Sequence, residues 1–218
     1  MPELIRRPFV FLRHGQSVWN REGRIAGSQD VPLTPQGEDE ARRAFALLGE
    51  IDWPLIVSSP LERARRTAEL ATGRHPHQLI EGLKERHWGH FEGQPAPRPM
   101  PYLLEPEEGE SWETFAARIV VTLNTILESE ATPPLVVGHS GLIRVIRFVA
   151  CGSPEAAHGQ CTTAMGRARD TGTVGNAPAL VIGYRAPAAP YAVLTDQGSV
   201  SPARNGTRRC SSPMISGT

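Results

Sequence analysis

Residues 9–20 read FVFLRHGQSVWN, and this stretch decides how the whole chain is interpreted. It contains most of a short apolar run, Pro8 to Leu12, whose length and composition indicate a buried β-strand. The run ends at Arg13, His14 and Gly15, so a cation and an imidazole directly follow the strand. Because open α/β folds bind ligands beyond the carboxyl ends of their strands, the stretch predicts a site at that edge.

Other short apolar runs alternate with amphipathic helical patterns, which is typical of an α/β protein. The further predicted strands are Leu55–Val57, Gln78–Ile80, Leu135–Val137, Ala179–Tyr184 and Tyr191–Leu194. We expect a three-layer α/β/α sandwich with a mainly parallel central sheet. Residues 1–195 are predicted to form one domain, and residues 196–218 a low-complexity tail.

Capping signals and apolar periodicity place four helices between these strands. The first begins at Thr34–Pro35 and ends near Gly49, and the second starts at Pro60. The third is predicted from Ser111 to about Ser129, and the fourth from Leu142 to about Ala150. The predicted inward-facing residues are Ala41, Ala44, Phe45 and Leu48 in the first helix and Phe115, Ile119, Leu123 and Ile126 in the third.

Two regions lack a regular pattern. Residues 94–110 contain five prolines and several glutamates, so we expect an irregular segment that is either a lid or a solvated loop. Residues 152–178 are rich in Gly, Thr and Ala and show little periodicity.

The composition narrows the function classes. The 218 residues carry 23 basic and 23 acidic side chains, so no overall field favours nucleic acid or an anionic membrane as a partner. No apolar segment approaches the ~18 residues of a membrane span, and the first apolar run is too short for a secretion signal. The three cysteines, Cys151, Cys161 and Cys210, have no metal-like spacing and predict reduced thiols. We therefore expect a cytoplasmic protein.

Charged residues follow three predicted strands. The second strand leads into Ser58-Ser59-Pro60, with Arg63 in the next helix, and another ends at Gly138-His139. In a parallel sheet these residues meet Arg13 and His14 at one edge. Guanidinium groups suit phosphate oxygens, and a neutral histidine among them can attack phosphorus.

The motifs that carry this chemistry resemble those of the histidine phosphatase (phosphoglycerate mutase-like) superfamily, branch 1. The resemblance covers residues 9 to about 148 in one order along the chain. Its motifs are FLRHGQSVWN (11–20), RIAG (24–27), LTPQG (33–37), SSPLERARRTA (58–68), LKERHWGHFEG (83–93) and VGHSGLIR (137–144).

The resemblance implies a role for each matching residue. His14 would be the phosphorylated nucleophile, and Glu85 the proton donor to the leaving oxygen and then the base for water. The residues implied in phosphate and substrate binding are Arg13, Asn20, Ala26, Gly27, Arg63 and His139. No metal and no cofactor are implied, since cationic side chains can neutralise the transferring phosphoryl group.

Several alternatives stay open at this point. Glu81 and Glu92 lie near Glu85 and compete for its role, and Asn20 could be a turn or cap residue. Arg63 stands among further arginines that could form a solvated helix face. Four histidines, His75, His77, His87 and His90, are good zinc ligands in type, but no carboxylate or cysteine completes a regular spacing.

The resemblance leaves both phosphatase and mutase activity open. Phosphoglycerate mutases are expected to carry a longer insertion between Glu85 and His139, with basic residues for the carboxylate of their substrate. Here the interval holds three cations, Arg86, Arg98 and Arg118. We therefore expect a phosphatase of small phosphomonoesters, with a homodimer as a possible assembly. The alternatives are a mutase-type phosphotransferase, a phosphoprotein or phosphohistidine phosphatase, and a non-catalytic module that binds phosphorylated ligands.

Overall fold

The structure is a computed structural model, and it describes residues 3–5, 7, 9–98, 100–129, 133–151, 181–185 and 189–194. Its strands are β1 (Val10–Arg13), β2 (Ile56–Ser58), β3 (Gln78–Leu79), β4 (Leu135–Gly138), β5 (Val181–Arg185) and β6 (Ala189–Leu194). They form one sheet in the order β3-β2-β4-β1-β5-β6. The first four strands in this order are parallel, while β5 runs antiparallel to β1 and β6 antiparallel to β5. The predicted mainly parallel sheet is confirmed.

The helices are α1 (Val18–Arg21), α2 (Pro35–Leu48), α3 (Glu62–Thr72), α4 (Trp112–Glu128) and α5 (Ser140–Cys151). Short 3₁₀ turns cover Glu81–Leu83 and Gly89–Phe91. The predicted caps of α2 and α4 are confirmed: Thr34 Oγ1 accepts a hydrogen bond from Gly37 N, and Ser111 Oγ accepts one from Thr114 N, each at 3.0 Å.

Two hydrophobic cores lie on opposite faces of the sheet, because neighbouring strand residues point to opposite sides. Phe11, Val57 and Val136 pack in a cluster with residues of α4 and α5. Leu12 and Ile56 pack in a second cluster with alanines and a leucine of α2 and α3. Helices therefore cover both faces, as the three-layer prediction requires.

Some predicted details are wrong. α3 begins at Glu62 rather than at Pro60, and α5 begins at Ser140 rather than at Leu142. Phe45 was expected to face inward, but it is 44% exposed. Its ring covers Gly49 at the end of α2, where an added Cβ would lie 2.4 Å from the ring. The buried residues of α2 are Gly37, Glu40, Ala41, Ala44 and Leu48, and the aromatic ring lies outside this packed face.

Among the described residues of segment 94–110 there is neither helix nor strand, as predicted. The segment is nevertheless fixed to the core rather than freely solvated. The wholly buried Arg86 donates hydrogen bonds to the carbonyl oxygens of Tyr102, Leu104 and Glu110. The Tyr102 ring is also buried, against Trp88 and Trp112.

Three sequence-based expectations fall outside the described residues: the irregular region 152–178, the domain boundary at residue 195 and the tail 196–218. Cys161 and Cys210 lie there as well. Across the part of the chain that the structure describes, no helix is both long and apolar enough to cross a membrane.

Candidate active site

The carboxyl ends of three strands meet at one edge of the sheet. β1 and β4 pair in parallel with Arg13 opposite Gly138, and the backbone N–H of His14 donates to the Gly138 carbonyl at 3.0 Å. On the other side of β4, the N–H of Ser59 donates to the Val137 carbonyl at 3.0 Å. These hydrogen bonds continue the sheet beyond its strands and hold the residues that follow each strand side by side.

His14 and His139 lie in one buried cluster. Their ring centroids are 5.1 Å apart in an edge-to-face arrangement, and their exposures are 8% and 0%. The two histidines were predicted to converge from separate strands, and the structure brings them together.

One hydrogen bond defines which nitrogen of His14 carries the proton. Its Nδ1 lies 2.7 Å from the carbonyl oxygen of Gly15. A carbonyl oxygen only accepts hydrogen bonds, so Nδ1 carries the proton in the neutral ring. The lone pair then resides on Nε2, which is the form of imidazole that can attack an electrophile.

The surroundings of His14 keep its ring neutral. Burial lowers its pKa well below the ordinary histidine value of 6.5, and the charges of Arg63 and Arg13 lower it further. The hydrogen bond to Gly15 acts in the opposite direction but is the smaller effect. The His14 ring is therefore unprotonated at neutral pH.

His139 is held by Ser59. Its Nε2 lies 2.8 Å from Ser59 Oγ, and that hydroxyl oxygen already accepts a hydrogen bond from Leu61 N at 3.4 Å. The hydroxyl carries a proton that it can donate to Nε2, and in that arrangement the imidazole proton lies on Nδ1. Burial lowers the pKa of His139 well below 6.5, and the charges of Arg63 and Arg13 lower it further.

Arg63 is 1% exposed, which excludes the alternative of a solvated arginine face for this residue. Its terminal nitrogens donate to the carbonyls of Gln29 and Gly27 at 2.6 and 2.7 Å. Burial lowers its pKa to about 10, while Glu85 and two other carboxylates act to raise it. The group remains charged at neutral pH.

Within the part of the chain that the structure describes, three buried nitrogens of this cluster have no hydrogen-bond partner: Arg13 Nε, Arg63 Nε and His139 Nδ1. Buried polar groups in folded proteins nearly always have partners. Burial also lowers the pKa of Arg13, as expected for a cation removed from water. Together these three nitrogens form a set of donors that suits the oxygens of a phosphate group.

Glu85 is buried at the amino-terminal end of α5. Its Oε1 accepts from Arg86 N at 2.9 Å, and its Oε2 accepts from Ser140 Oγ at 3.2 Å and from Gly141 N at 3.0 Å. The charge of Glu85 acts on both Arg13 and Arg63, which places it beside the cationic cluster.

The competing glutamates are placed differently. Glu81 is largely exposed and pairs with Lys84 at 2.7 Å. The carboxylate of Glu92 accepts hydrogen bonds from Ser28, Gln29 and Trp88. Of the three candidates, Glu85 is the one whose charge acts on both Arg13 and Arg63 and whose carboxylate lies at the start of α5.

The remaining predicted site residues lie in α1 and in the loop that follows it. Asn20 belongs to α1 and forms a capping box with Ser17, so the alternative of a cap residue describes its contacts. Gly27 has a φ of +51° and gives its carbonyl to Arg63. Ala26 is half-buried, and its carbonyl accepts from Gln29 N at 3.0 Å.

Sequence reasoning missed two polar residues that hold the His14 loop. Thr67 Oγ1 accepts from Gly15 N at 3.1 Å, and the buried carboxylate of Glu40 accepts from Gln16 N at 2.8 Å. A signal was available for Glu40, because it lies on the apolar face of α2 beside Ala41 and Ala44, where a charge must have a partner.

Two of the histidines considered as metal ligands have other partners. His77 Nδ1 accepts from Ile56 N at 2.8 Å, while His75 pairs with Glu69 at 3.1 Å. Within the described ranges, no three residues of the types His, Cys, Asp and Glu are grouped as a metal site.

A parallel α/β sandwich with this cluster at its carboxyl edge has the architecture of phosphoglycerate mutase-like proteins. The crystal structure of phosphoglycerate mutase from Thermus thermophilus aligns with a TM-score of 0.60 and 31% identity, over 86% of this chain and 98% of that one. The family model of the histidine phosphatase superfamily (branch 1) matches residues 9–167. The chain belongs to this superfamily.

Proteins of similar sequence include one named as a phosphoglycerate mutase and one named as a phosphatase. The chain is 47% identical over 92 residues to the 2,3-bisphosphoglycerate-dependent phosphoglycerate mutase of Thermobifida fusca (strain YX), covering 39% of this chain and 37% of the relative. It is 38% identical over 86 residues to an uncharacterized phosphatase, PhoE, of Bacillus subtilis (strain 168), covering 38% and 45%. The matched part is therefore less than half the length of either relative.

Proposed function

We propose that this protein is a metal-independent phosphatase that hydrolyses small phosphomonoesters through a phosphohistidine on His14. The observation that carries the proposal is the state of the His14 ring. Its Nδ1 is bound to the Gly15 carbonyl, its pKa is lowered by burial and two arginines, and its Nε2 therefore holds a lone pair among cationic donors.

In the first step, Nε2 of His14 attacks phosphorus and the bond to the ester oxygen breaks. Glu85, in its protonated form when this step begins, gives its proton to the leaving oxygen and becomes a carboxylate. In the second step, Glu85 takes a proton from water, whose oxygen attacks phosphorus while the P–N bond breaks and its electron pair returns to Nε2. Arg13, Arg63 and His139 supply donors for the phosphoryl oxygens, where charge must be neutralised.

The contacts of two arginines favour a phosphatase over a mutase. A mutase substrate with a carboxylate needs additional cations, but Arg86 is committed to three backbone carbonyls. Arg118 binds both carboxylate oxygens of Glu110, at 2.8 and 2.6 Å, and the carbonyls of Gly82 and Lys84. Two of the three cations between Glu85 and His139 are thus used within the fold.

The test is a hydrolysis screen over many phosphomonoesters in the presence of EDTA, with a His14→Ala variant in parallel. We expect activity with chelator, inhibition by vanadate, which resembles the five-coordinate transferring group, and no activity in His14→Ala. An absolute need for Mg²⁺ or Zn²⁺ would contradict the proposal.

Mutase activity is the second candidate, because one relative of 47% identity bears that name. The same preparation is therefore assayed for interconversion of phosphoglycerates with 2,3-bisphosphoglycerate present. Interconversion faster than hydrolysis would replace the phosphatase assignment with the mutase.

A further inference from the structure

Glu92 is a buried carboxylate that the proposed mechanism does not use. Its side chain is 5% exposed. Oε1 accepts hydrogen bonds from Ser28 N at 2.7 Å, Ser28 Oγ at 3.0 Å and Trp88 N at 3.0 Å, while Oε2 accepts from Gln29 Nε2 at 2.7 Å. A buried carboxylate with this many donors is a fixed structural centre rather than a solvated surface charge.

The loop that Glu92 binds is the loop that Arg63 binds. Arg63 donates to the carbonyls of Gly27 and Gln29, whereas Glu92 accepts from Ser28 N between them. Alternating peptide groups of one short loop are thus held by a cation on one side and an anion on the other. The charge of Glu92 also acts to raise the pKa of Arg63.

Gly27 reflects how closely this loop approaches the carboxylate. An added Cβ there would lie 2.2 Å from Glu92 Oε1, and the φ of +51° is in the left-handed region that favours glycine. The close approach of Glu92 and the backbone conformation therefore both favour glycine at the end of the RIAG motif.

Glu92 also reaches the segment that carries Glu85. Its hydrogen bond from Trp88 N fixes a residue three positions after Glu85, and the Trp88 ring packs against the Arg86 guanidinium at 4.5 Å. One carboxylate therefore connects the loop bound to Arg63 with the segment that holds the proposed proton donor.

We propose that Glu92 is a positioning residue for phosphate binding, acting through the 27–29 loop on the guanidinium of Arg63. This inference rests on the proposed function, in which Arg63 binds the transferring phosphoryl group. Arg63 has two terminal nitrogens fixed by this loop, so a displaced loop displaces the guanidinium and its Nε donor. Small misplacements of such groups can reduce rates on the order of 10²-fold.

The experiment compares Glu92→Gln in the full chain with a control variant, Glu69→Gln. The Glu69 carboxylate lies near the end of α3, where it pairs with Arg66 and with His75 in the turn that follows the helix. Vanadate affinity is measured by calorimetry, and kcat/KM is measured for p-nitrophenyl phosphate and for an alkyl phosphate. For Glu92→Gln we expect weaker vanadate binding and an equal loss of kcat/KM on both substrates, on the order of 10-fold to 10²-fold. Glu69→Gln should match the wild type.

A double-mutant cycle separates positioning from a general loss of stability. In an Arg63→Ala background, Glu92→Gln should weaken vanadate binding little further, because the group it positions is gone. Ser28→Ala, which removes one donor to Glu92, should give a smaller change in the same direction and serves if Glu92→Gln does not fold.

Three results would overturn the inference: a lower melting temperature with unchanged vanadate affinity, additive effects in the cycle, or a loss confined to the alkyl phosphate. The last would make Glu92 a proton donor. A chain that hydrolyses no phosphomonoester but loses vanadate affinity on Glu92→Gln would instead refute the phosphatase and keep the positioning role.

Discussion

At the scale of single residues, His14 and Glu85 divide the proposed chemistry between a nucleophile and a proton carrier. His14→Ala should therefore abolish turnover and any acid-labile, base-stable phosphoenzyme. Glu85→Gln should slow hydrolysis of alkyl phosphates by ~10²–10⁴-fold, the usual cost of losing a general acid–base. The loss should be smaller for p-nitrophenyl phosphate, whose leaving group needs little protonation.

Rapid-quench assays with ³²P-labelled substrate measure the phosphoenzyme in both variants. With p-nitrophenyl phosphate, phosphorylated Glu85→Gln should accumulate, because attack by water has lost its base. Near-normal rates of Glu85→Gln on alkyl phosphates would contradict the assignment.

The identities of these residues were easier to predict from the sequence than their contacts. The sheet topology brings four of them to one edge of the sheet. His14, Arg63 and His139 come after strand ends, and Glu85 lies in the motif of residues 83–93. Asn20 was open between ligand and cap, and its side chain accepts from Ser17 N. Spacing alone could not resolve this, because a cap and a polar ligand require the same short amide side chain.

The second prediction concerns the acid side of the pH–rate profile. His14 must be neutral to attack, and its pKa is lowered by burial, then by Arg63 and Arg13. The kcat/KM of the wild type should therefore not fall until well below pH 6.5. In Arg13→Gln one of these cations is removed, so the pKa of His14 rises and the acid limb moves to higher pH.

Initial rates from about pH 4 to about pH 8 test this shift, a range that brackets the ordinary titration of histidine. Arg65→Gln is the control, since Arg65 is an exposed arginine of α3. An acid limb that stays in place in Arg13→Gln would mean that another group controls it.

At the scale of elements, a side-chain cap was a reliable guide to where a helix begins, whereas the proline at position 60 was not. The starts of α2 and α4 were predicted because a side-chain oxygen at each cap satisfies a backbone N–H. α5 begins earlier than predicted because its first turn is polar: Ser140 and Gly141 are helical and face Glu85. The apolar periodicity of a sequence does not predict a helical turn whose residues are polar and bind a carboxylate.

The third prediction uses this first turn of α5. A Cβ added at Gly141 would lie 2.1 Å from Glu85 Oε1 and 2.7 Å from the Phe115 ring. Gly141→Ala should therefore displace the carboxylate and lower kcat on alkyl phosphates, on the order of 10²-fold, with vanadate affinity largely retained.

Ser140→Ala is the matched comparison, because it removes the single hydroxyl bond to Glu85 without steric conflict. Its effect on kcat should be smaller and in the same direction. Full activity in Gly141→Ala would show that Glu85 tolerates displacement and would argue against its role as the proton donor.

At the scale of the whole molecule, the sheet topology indicates where the site lies but not what supports it. Alternating apolar residues in β1, β2 and β4 determine the two cores, and parallel pairing brings the strand ends together. The supporting roles of Arg86 and Glu92 were missed because these residues bind backbone groups of irregular segments, which have no periodicity to read. Their contacts arise from tertiary structure alone.

The last prediction follows from burying two neutral histidines in one fold. The pKa values of His14 and His139 lie well below 6.5 in the folded chain, chiefly because of burial. The unfolded chain then binds more protons below pH ~6.5, so the free energy of unfolding falls as the pH decreases through that value toward the folded pKa. Each histidine contributes a slope of up to ~1.4 kcal/mol per pH unit in this window.

Urea unfolding between about pH 5.5 and about pH 7.5 measures the slope above the range where most carboxylates titrate. It should decrease in His14→Gln and again in His14→Gln/His139→Gln, but not in His75→Gln, whose side chain is 89% exposed. An unchanged slope in the double variant would mean that the fold does not lower the pKa of either ring, which would contradict burial as the reason that His14 stays neutral.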